Sequence, residues 1–393
     1  MNKVSIAFPV SYGKSGPNQK YMPLIKQLNA DDMLERCYGI GFPQTYVFFD
    51  EPLQKMVLTK FTTRFSRIIV KSICKIFGFP KYMVYWSNVW LFDFMFHKKI
   101  ASDKSKVLFT TPLLRRTIRA AKKKGKLVVL EAGNSEPRRE YQRIINEYQT
   151  YGIKKRYIYG NPNYKNTCLE SFKLADKIIT ISNVSMRTYL NAGYDMSKFK
   201  LISMCGSDMK IQLYKNNIKR QKAFISTGYH NFIKGTHLLL KAWEKAKISN
   251  IPLIIVGDLC EDMKEFVEKF GPFDNVNFVG SRTDLQDWYQ QFDAVGILLS
   301  LSEGAGRVTP EMMKFGFPMI VSSDATCDLV IDGYNGFITD PFDEERLVTK
   351  LNYFAEDWRR VHELYDAVIN TVASRSIKDY SLECAEYLKM FIS

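Results

Sequence analysis

The sequence predicts an α/β protein built of two doubly wound, Rossmann-like parallel-sheet domains facing a cleft. Three observations carry this. The chain has 393 residues, too many for one ordinary core, so about two domains are expected. Apolar runs such as Leu253-Ile-Ile-Val and Val295-Gly-Ile-Leu-Leu alternate with helical segments, and strands buried on both sheet faces read this way. Charge divides the chain as well. Residues 1–220 carry 39 Lys+Arg against 15 Asp+Glu, or +24, whereas residues 221–393 carry 17 against 26, or −9. Two units with different partners are implied, the first meeting something anionic: a membrane surface, a phosphorylated lipid, an acidic saccharide or nucleic acid.

In the first half, strands are expected at 4–10, 107–111, 127–131 and 177–181, with helices at 113–124, 138–151 and 184–191. The polar, basic stretch 207–221 reads as a linker, placing the domains at 1–208 and 209–375. The second half is cleaner. Strands are expected at 222–227, 252–258, 276–280, 294–300 and 318–323, and helices at 235–247, 261–270, 284–291, from Pro310 and at 325–331. A last amphipathic helix within 376–393 is expected to pack back on the first domain.

Composition excludes several classes. With 27 Phe, 22 Tyr and 5 Trp the chain can bury a large core, so disorder is excluded. No apolar run reaches the roughly 18 residues of a membrane span. The N-terminal Met1-Asn-Lys-Val-Ser-Ile-Ala reads as a first strand rather than a signal peptide. The seven cysteines form no CxxC pair and read as reduced core residues of a cytoplasmic protein without a metal site. No nucleic-acid motif is present, and an acidic second half opposes wrapping a phosphate polymer. Gly13-Lys14-Ser15 is not a Walker A loop, because the motif's other glycine is Phe8 here.

The chemistry concentrates in Ser300-Leu-Ser-Glu-Gly-Ala-Gly-Arg-Val-Thr-Pro-Glu, at the C-terminal end of an expected strand, where open α/β sheets bind ligands. Gly304 and Gly306 allow close backbone approach, and Thr309 followed by Pro310 reads as a helix N-cap and first residue. A helix start suits a diphosphate, while Glu303 and Glu311 suit sugar hydroxyls, which ionised carboxylates accept from.

This stretch resembles the E-x7-E signature of retaining GT-B glycosyltransferases, glycosyltransferase family 4 (group 1). Gly316-Phe-Pro-Met-Ile-Val, Asp332-Gly-Tyr-Asn-Gly, Lys234-Gly-Thr-His and Ile255-Val-Gly-Asp resemble further family runs, in family order. The resemblance implies GT-B architecture and sugar transfer, with retention, from a UDP- or GDP-linked donor to a saccharide or polyprenyl-lipid-linked acceptor, with no cofactor or metal required. It implies that Glu311 binds the donor ribose and Glu303 the transferred sugar. Gly304, Ala305, Gly306, Arg307, Val308 and Thr309 would cradle phosphate and sugar, and Lys234 would neutralise the departing diphosphate.

The family's usual Arg five residues before that Lys is Tyr229 here, and Arg307 is the candidate substitute. Gly13, in the loop after the first strand, is expected to line the cleft and Arg282 to lie near the base. Where relatives carry a His after the third expected strand this chain has Gly133 and Asn134, so Asn134 is the acceptor-side candidate. Surface polysaccharide synthesis is the implied setting; a GT-B sugar-nucleotide epimerase and a non-catalytic GT-B binding protein are the alternatives.

Residues 60–96 admit two readings. Lys60, Arg64, Arg67, Lys71 and Lys75 recur every three or four residues beside an apolar face, and an aromatic run including Trp86, Trp90 and Phe94 follows. The segment is either an interfacial helix on an anionic membrane or an ordinary core helix with a solvated basic face.

Overall fold

The computed structural model describes residues 2–10, 12, 20–40, 56–58, 68–69, 72–73, 75–77, 82–154, 157–212, 220–372 and 376–392. The first sheet has seven strands, all paired in parallel: β1 (Val4–Ala7), β2 (Leu34–Gly39), β3 (Met56–Leu58), β4 (Val107–Thr110), β5 (Leu127–Ala132), β6 (Lys177–Thr180) and β7 (Phe199–Leu201), in the order 3-2-1-4-5-6-7. Its helices are α1 (Tyr21–Ala30), α2 (Tyr82–Ser102), α3 (Arg115–Lys123), α4 (Pro137–Thr150), α5 (Pro162–Leu174) and α6 (Asn183–Asn191). Strand order reverses between β1 and β4, which creates a crevice beyond the C-terminal strand ends.

The second sheet has six parallel strands: β8 (Gln221–Thr227), β9 (Leu253–Val256), β10 (Val276–Gly280), β11 (Phe292–Leu298), β12 (Met319–Ser322) and β13 (Gly336–Thr339), in the order 10-9-8-11-12-13. With it come α7 (Thr236–Ala246), α8 (Glu261–Phe270), α9 (Leu285–Tyr289), α10 (Val308–Met313), α11 (Glu344–Glu356), α12 (Arg359–Glu363) and α13 (Tyr365–Val372). All seven residues of β11 are buried, as a central strand covered on both faces requires. Two α/β sheets of this kind are the architecture expected from the alternating pattern.

The units are joined by more than the chain. Glu136 caps α4, accepting from Arg138 N (2.8 Å) and Arg139 N (2.9 Å), with Pro137 in the first turn. The apolar stripe of α4, Ile144 and Tyr148, then packs into the core of the second sheet beside Phe232 and Phe266. A last helix, α14 (Ile377–Lys389), opens on a Ser376–Asp379 capping box. It returns to α1 and β1, burying Tyr380, Cys384 and Leu388 among Val4, Ile6 and Ile25.

Three sequence expectations are corrected. Residues 325–331 form turns, with Cys327 and Asp328 at φ +53° and +55°, and Asp328 reaches across to the start of α6, accepting from Asn183 N at 2.6 Å and Val184 N at 3.3 Å beside the Ser182 cap. Thr309 is not an N-cap. The helix begins at Val308, two residues earlier than expected, Arg307 holds the cap position, and the buried Thr309 hydroxyl donates to Ala325 O at 2.8 Å. The expected linker 207–221 begins inside the structure: Lys314 Nζ donates to Ser207 O (2.5 Å) and Gln212 N to Lys314 O (2.9 Å), while 213–219 lie outside the described residues.

Candidate active site at the domain boundary

The loop after β11 is held at the mouth of the crevice. Ser322 Oγ donates to Ser300 O (2.6 Å), fastening the loop to the end of β12. On the neighbouring side a single turn, 232–234, is capped by Asn231, whose Oδ1 accepts from Lys234 N at 3.2 Å. Gly235 follows at φ +68°, where a Cβ would lie 2.0 Å from Leu299 O. Only glycine allows the start of α7 to approach the strand end so closely. The two segments then join, Leu301 N donating to Ile233 O at 2.8 Å.

This backbone arrangement brings Lys234 Nζ to 2.6 Å from Glu303 Oε2, which also accepts from Ser300 Oγ at 2.9 Å. One turn along, Arg307 Nη2 lies 3.1 Å from Glu311 Oε1. Burial raises the Glu311 carboxyl above its ordinary range, opposed by the positive charges of Arg307 and Lys234. Two carboxylates and two cations therefore share one partly buried patch, with both pairs 14–24% exposed. A buried, unpartnered Arg307 Nε points to further hydrogen-bonding capacity there.

The same loop is seated on the first unit. A Cβ on Gly304 would stand 2.0 Å from Gly133 O, so the two backbones touch. Ser182 Oγ donates to Gly304 O, Ser135 Oγ to Glu303 O (3.2 Å) and Ser302 Oγ to Glu140 Oε2 (2.8 Å). Ala305 is 6% exposed and packs with Ile179, Ile181 and Met204 across the boundary. Gly306 lies in ordinary contact with Ala325 and Glu303, and Val308 packs on the second core.

Other predicted residues fall outside this cluster. Arg282 pairs with Asp284 through two contacts, 2.7 and 2.9 Å, and lies 5.4 Å over the Trp288 ring; no described contact ties it to Glu303 or Glu311. Tyr229 is half-exposed at the end of β8, its ring edge-on to Tyr157 at 6.0 Å. Gly13 lies outside the described residues. His230 and His237 are buried in structural roles. His230 bonds Thr236 Oγ1 and Val256 O, and burial lowers it to about 4; His237 sits 3.0 Å from Glu147 Oε2 and stacks on Phe232.

Asn134 leads into a feature the sequence reading missed, a cavity of about 190 Å³ beyond β5, lined by Asn134, Glu140, Tyr85, Tyr159 and Tyr164 among others. Burial raises the Glu140 carboxyl to about 8. The signal was present: Glu140 and Glu147 sit in the apolar stripe of Ile144 and Tyr148, at spacings of three and four, and both are buried. Among the described residues no group of His, Cys, Asp and Glu could hold a metal ion, and no helix is long and apolar enough to cross a membrane.

With this geometry in hand, comparison with known proteins bears on the second unit. Residues 209–372 match the family model of glycosyl transferases, group 1. The fold is GT-B. An uncharacterized glycosyltransferase of Haemophilus influenzae is 26% identical over 186 residues, 45% of this chain and 51% of that protein, so the chain matches about half the relative's length. Anabaena HepE, solved with UDP-glucose, superposes with a TM-score of 0.60 at 17% identity, covering 98% of this chain and 99% of that one. Sucrose-phosphate synthase of Thermosynechococcus elongatus gives 0.68 at 16%, covering 99% of each chain. The loop bearing Glu303 and Glu311 thus lies within the group 1 glycosyl transferase match.

Proposed function

We propose that the protein is a retaining glycosyltransferase of GT-B family 4 type that moves a hexose from a nucleotide diphosphate sugar to a saccharide or lipid-linked acceptor in surface polysaccharide synthesis. The observation that carries this is the Lys234–Glu303 pair at 2.6 Å, beside Arg307–Glu311, at the end of a central strand of a group 1 glycosyl transferase domain. Lys234 is the cation for the departing diphosphate, and stabilising that developing charge is the main work of such a site. Glu303 accepts from hydroxyls of the transferred sugar, Glu311 from the ribose diol, and backbone N–H groups of 304–309 face the phosphates. Without donor, Glu303 keeps the ammonium of Lys234 partnered, so the donor displaces an existing ion pair rather than meeting a bare charge.

On this reading the leaving diphosphate takes the proton of the incoming hydroxyl on the same face, and no metal is required. Arg307 supplies the second cation where Tyr229 stands, and Arg282 approaches the base. The domain division at 208/209, with 376–393 assigned to the first unit, belongs to the same proposal. UDP is the favoured donor nucleotide because HepE was solved with UDP-glucose; GDP is the alternative. The test is donor turnover by wild type and K234A against UDP- and GDP-sugars. Undiminished turnover in K234A would remove the assignment.

Peripheral attachment to an anionic membrane at the cytoplasmic face through 60–96 is part of the proposal. α2 buries Val89, Phe92 and Ile100 but exposes Trp90 (48%) and Phe94 (48%), and Arg116 lies 5.5 Å over both rings. Ile76 and Phe77 are exposed as well. Half-exposed aromatics under a cation suit a headgroup interface. Flotation with anionic liposomes at low salt checks it, and a protein left at the bottom of the gradient rejects it.

A further inference from the structure

The donor assignment leaves the cavity beyond β5 unused. Its walls carry four tyrosines, Tyr85, Tyr159, Tyr164 and Tyr189, the polar side chains of Asn134 and Glu140, and Glu131, whose carboxylate accepts from Lys20, Tyr21 and Tyr380. Among the described residues lining it there is no Lys, Arg or His, although residues 1–220 carry a net +24. A phosphate or carboxylate in such a place would be a desolvated anion without a cation, which is strongly unfavourable. A neutral sugar meets no such cost: its C–H faces pack on aromatic rings and its hydroxyls match phenol, amide and carboxyl partners.

The cavity also adjoins the reacting loop. Gly133, in its wall, touches Gly304, and Glu140 is joined to Ser302, next to Glu303. We propose that this cavity receives an uncharged sugar residue, the terminal residue of the acceptor, packed on the tyrosine faces and hydrogen-bonded by Asn134 and Glu140. Only the word acceptor rests on the glycosyltransferase reading; the neutral-sugar site does not. Glu140 serves here as a donor. Burial keeps its carboxyl protonated at neutral pH, and the nearby charge of Glu303 acts in the same direction. The other groups facing it are Glu136 and Arg139 of its own helix and Cys168, Tyr159, Tyr164 and Tyr189 around the cavity. Burial holds those last four above their ordinary ranges, so the change of charge between pH 7 and 9 falls on Glu140.

The experiment presents full-length protein to neutral oligosaccharides and to their uronate- and phosphate-bearing counterparts, with UDP and GDP thermal shifts run in parallel. Retention of neutral glycans is expected, weakened about tenfold in N134A by loss of a hydrogen bond, with the nucleotide response unchanged. As pH rises from 7 to 9 the wild type should lose affinity while E140Q, which keeps a donor, retains it. Retention of anionic glycans alone, retention of none, or equal binding by N134A would overturn the site, as would a wild-type pH profile shared by E140Q. Neutral-glycan retention with no nucleotide response would reject the transferase reading and leave the sugar site standing.

Discussion

At the residue scale the account turns on two titratable groups in different surroundings. Lys234 is held by backbone geometry, the Asn231 cap and the Gly235 turn, so its removal leaves the scaffold intact. K234A is therefore expected to lower kcat by about 10² to 10³, the usual loss for one electrostatic partner of a developing charge, with the melting temperature nearly unchanged; steady-state kinetics and calorimetry together check this. Glu140 behaves oppositely. Its folded pKa, about 8, lies above the ordinary 4.5, so the folded state binds the extra proton. The stabilisation is complete below pH 4.5 and is lost as pH rises through about 8. Denaturation midpoints from pH 5 to 8 should fall more steeply in wild type than in E140Q.

Of these two residues only Lys234 was legible in sequence as a site residue, because it stands in a run of family spacing. Glu140 was legible only as a carboxylate falling in the apolar stripe of its helix; its partner Ser302 lies 162 positions away and has no local signature.

At the element scale, sequence reading succeeded for the central strands of both sheets and missed most of the edge strands. β8, β9, β10, β11 and β12 were readable as apolar runs between turn signals. The edge strands β3, β7 and β13 and the six-residue β2 were not anticipated: three or four residues show no period, and Leu34-Glu-Arg-Cys-Tyr-Gly forms neither an apolar run nor a clean alternation. The expected helix at 325–331 is replaced by turns, and Asp328 serves a helix of the other unit. Removing that service is measurable. D328A should cost about 1 kcal/mol, the usual net value of a hydrogen bond, here made by a carboxylate to free N–H groups at a helix start, read from chemical denaturation followed by far-ultraviolet dichroism; an unchanged midpoint would make the contact incidental.

At the scale of the whole molecule, two parallel sheets were legible from composition and alternation, but their mode of joining was not. α4 belongs to the first sheet by sequence and to both cores by packing. Its Arg139 and Arg143 meet the buried Asp324 of the other unit at 2.8 and 2.6 Å. Such contacts pair positions nearly two hundred residues apart, with no local signature. Deleting a buried partner strands the remaining charges, so D324A should destabilise the joined form by about 3 kcal/mol, seen as earlier unfolding of one unit in calorimetry. A single unshifted transition would count against it.

The joined units matter because the proposed donor site is furnished by Lys234, Glu303, Arg307 and Glu311 at the seam. The most direct measurement is a thermal-shift titration with UDP and GDP on wild type, K234A and E311A. A ligand present at 100 times its dissociation constant stabilises by about 2.7 kcal/mol, well above detection. One diphosphate should raise the wild-type midpoint while both variants lose most of the rise. No rise with either nucleotide, or equal rises in all three proteins, would contradict the account.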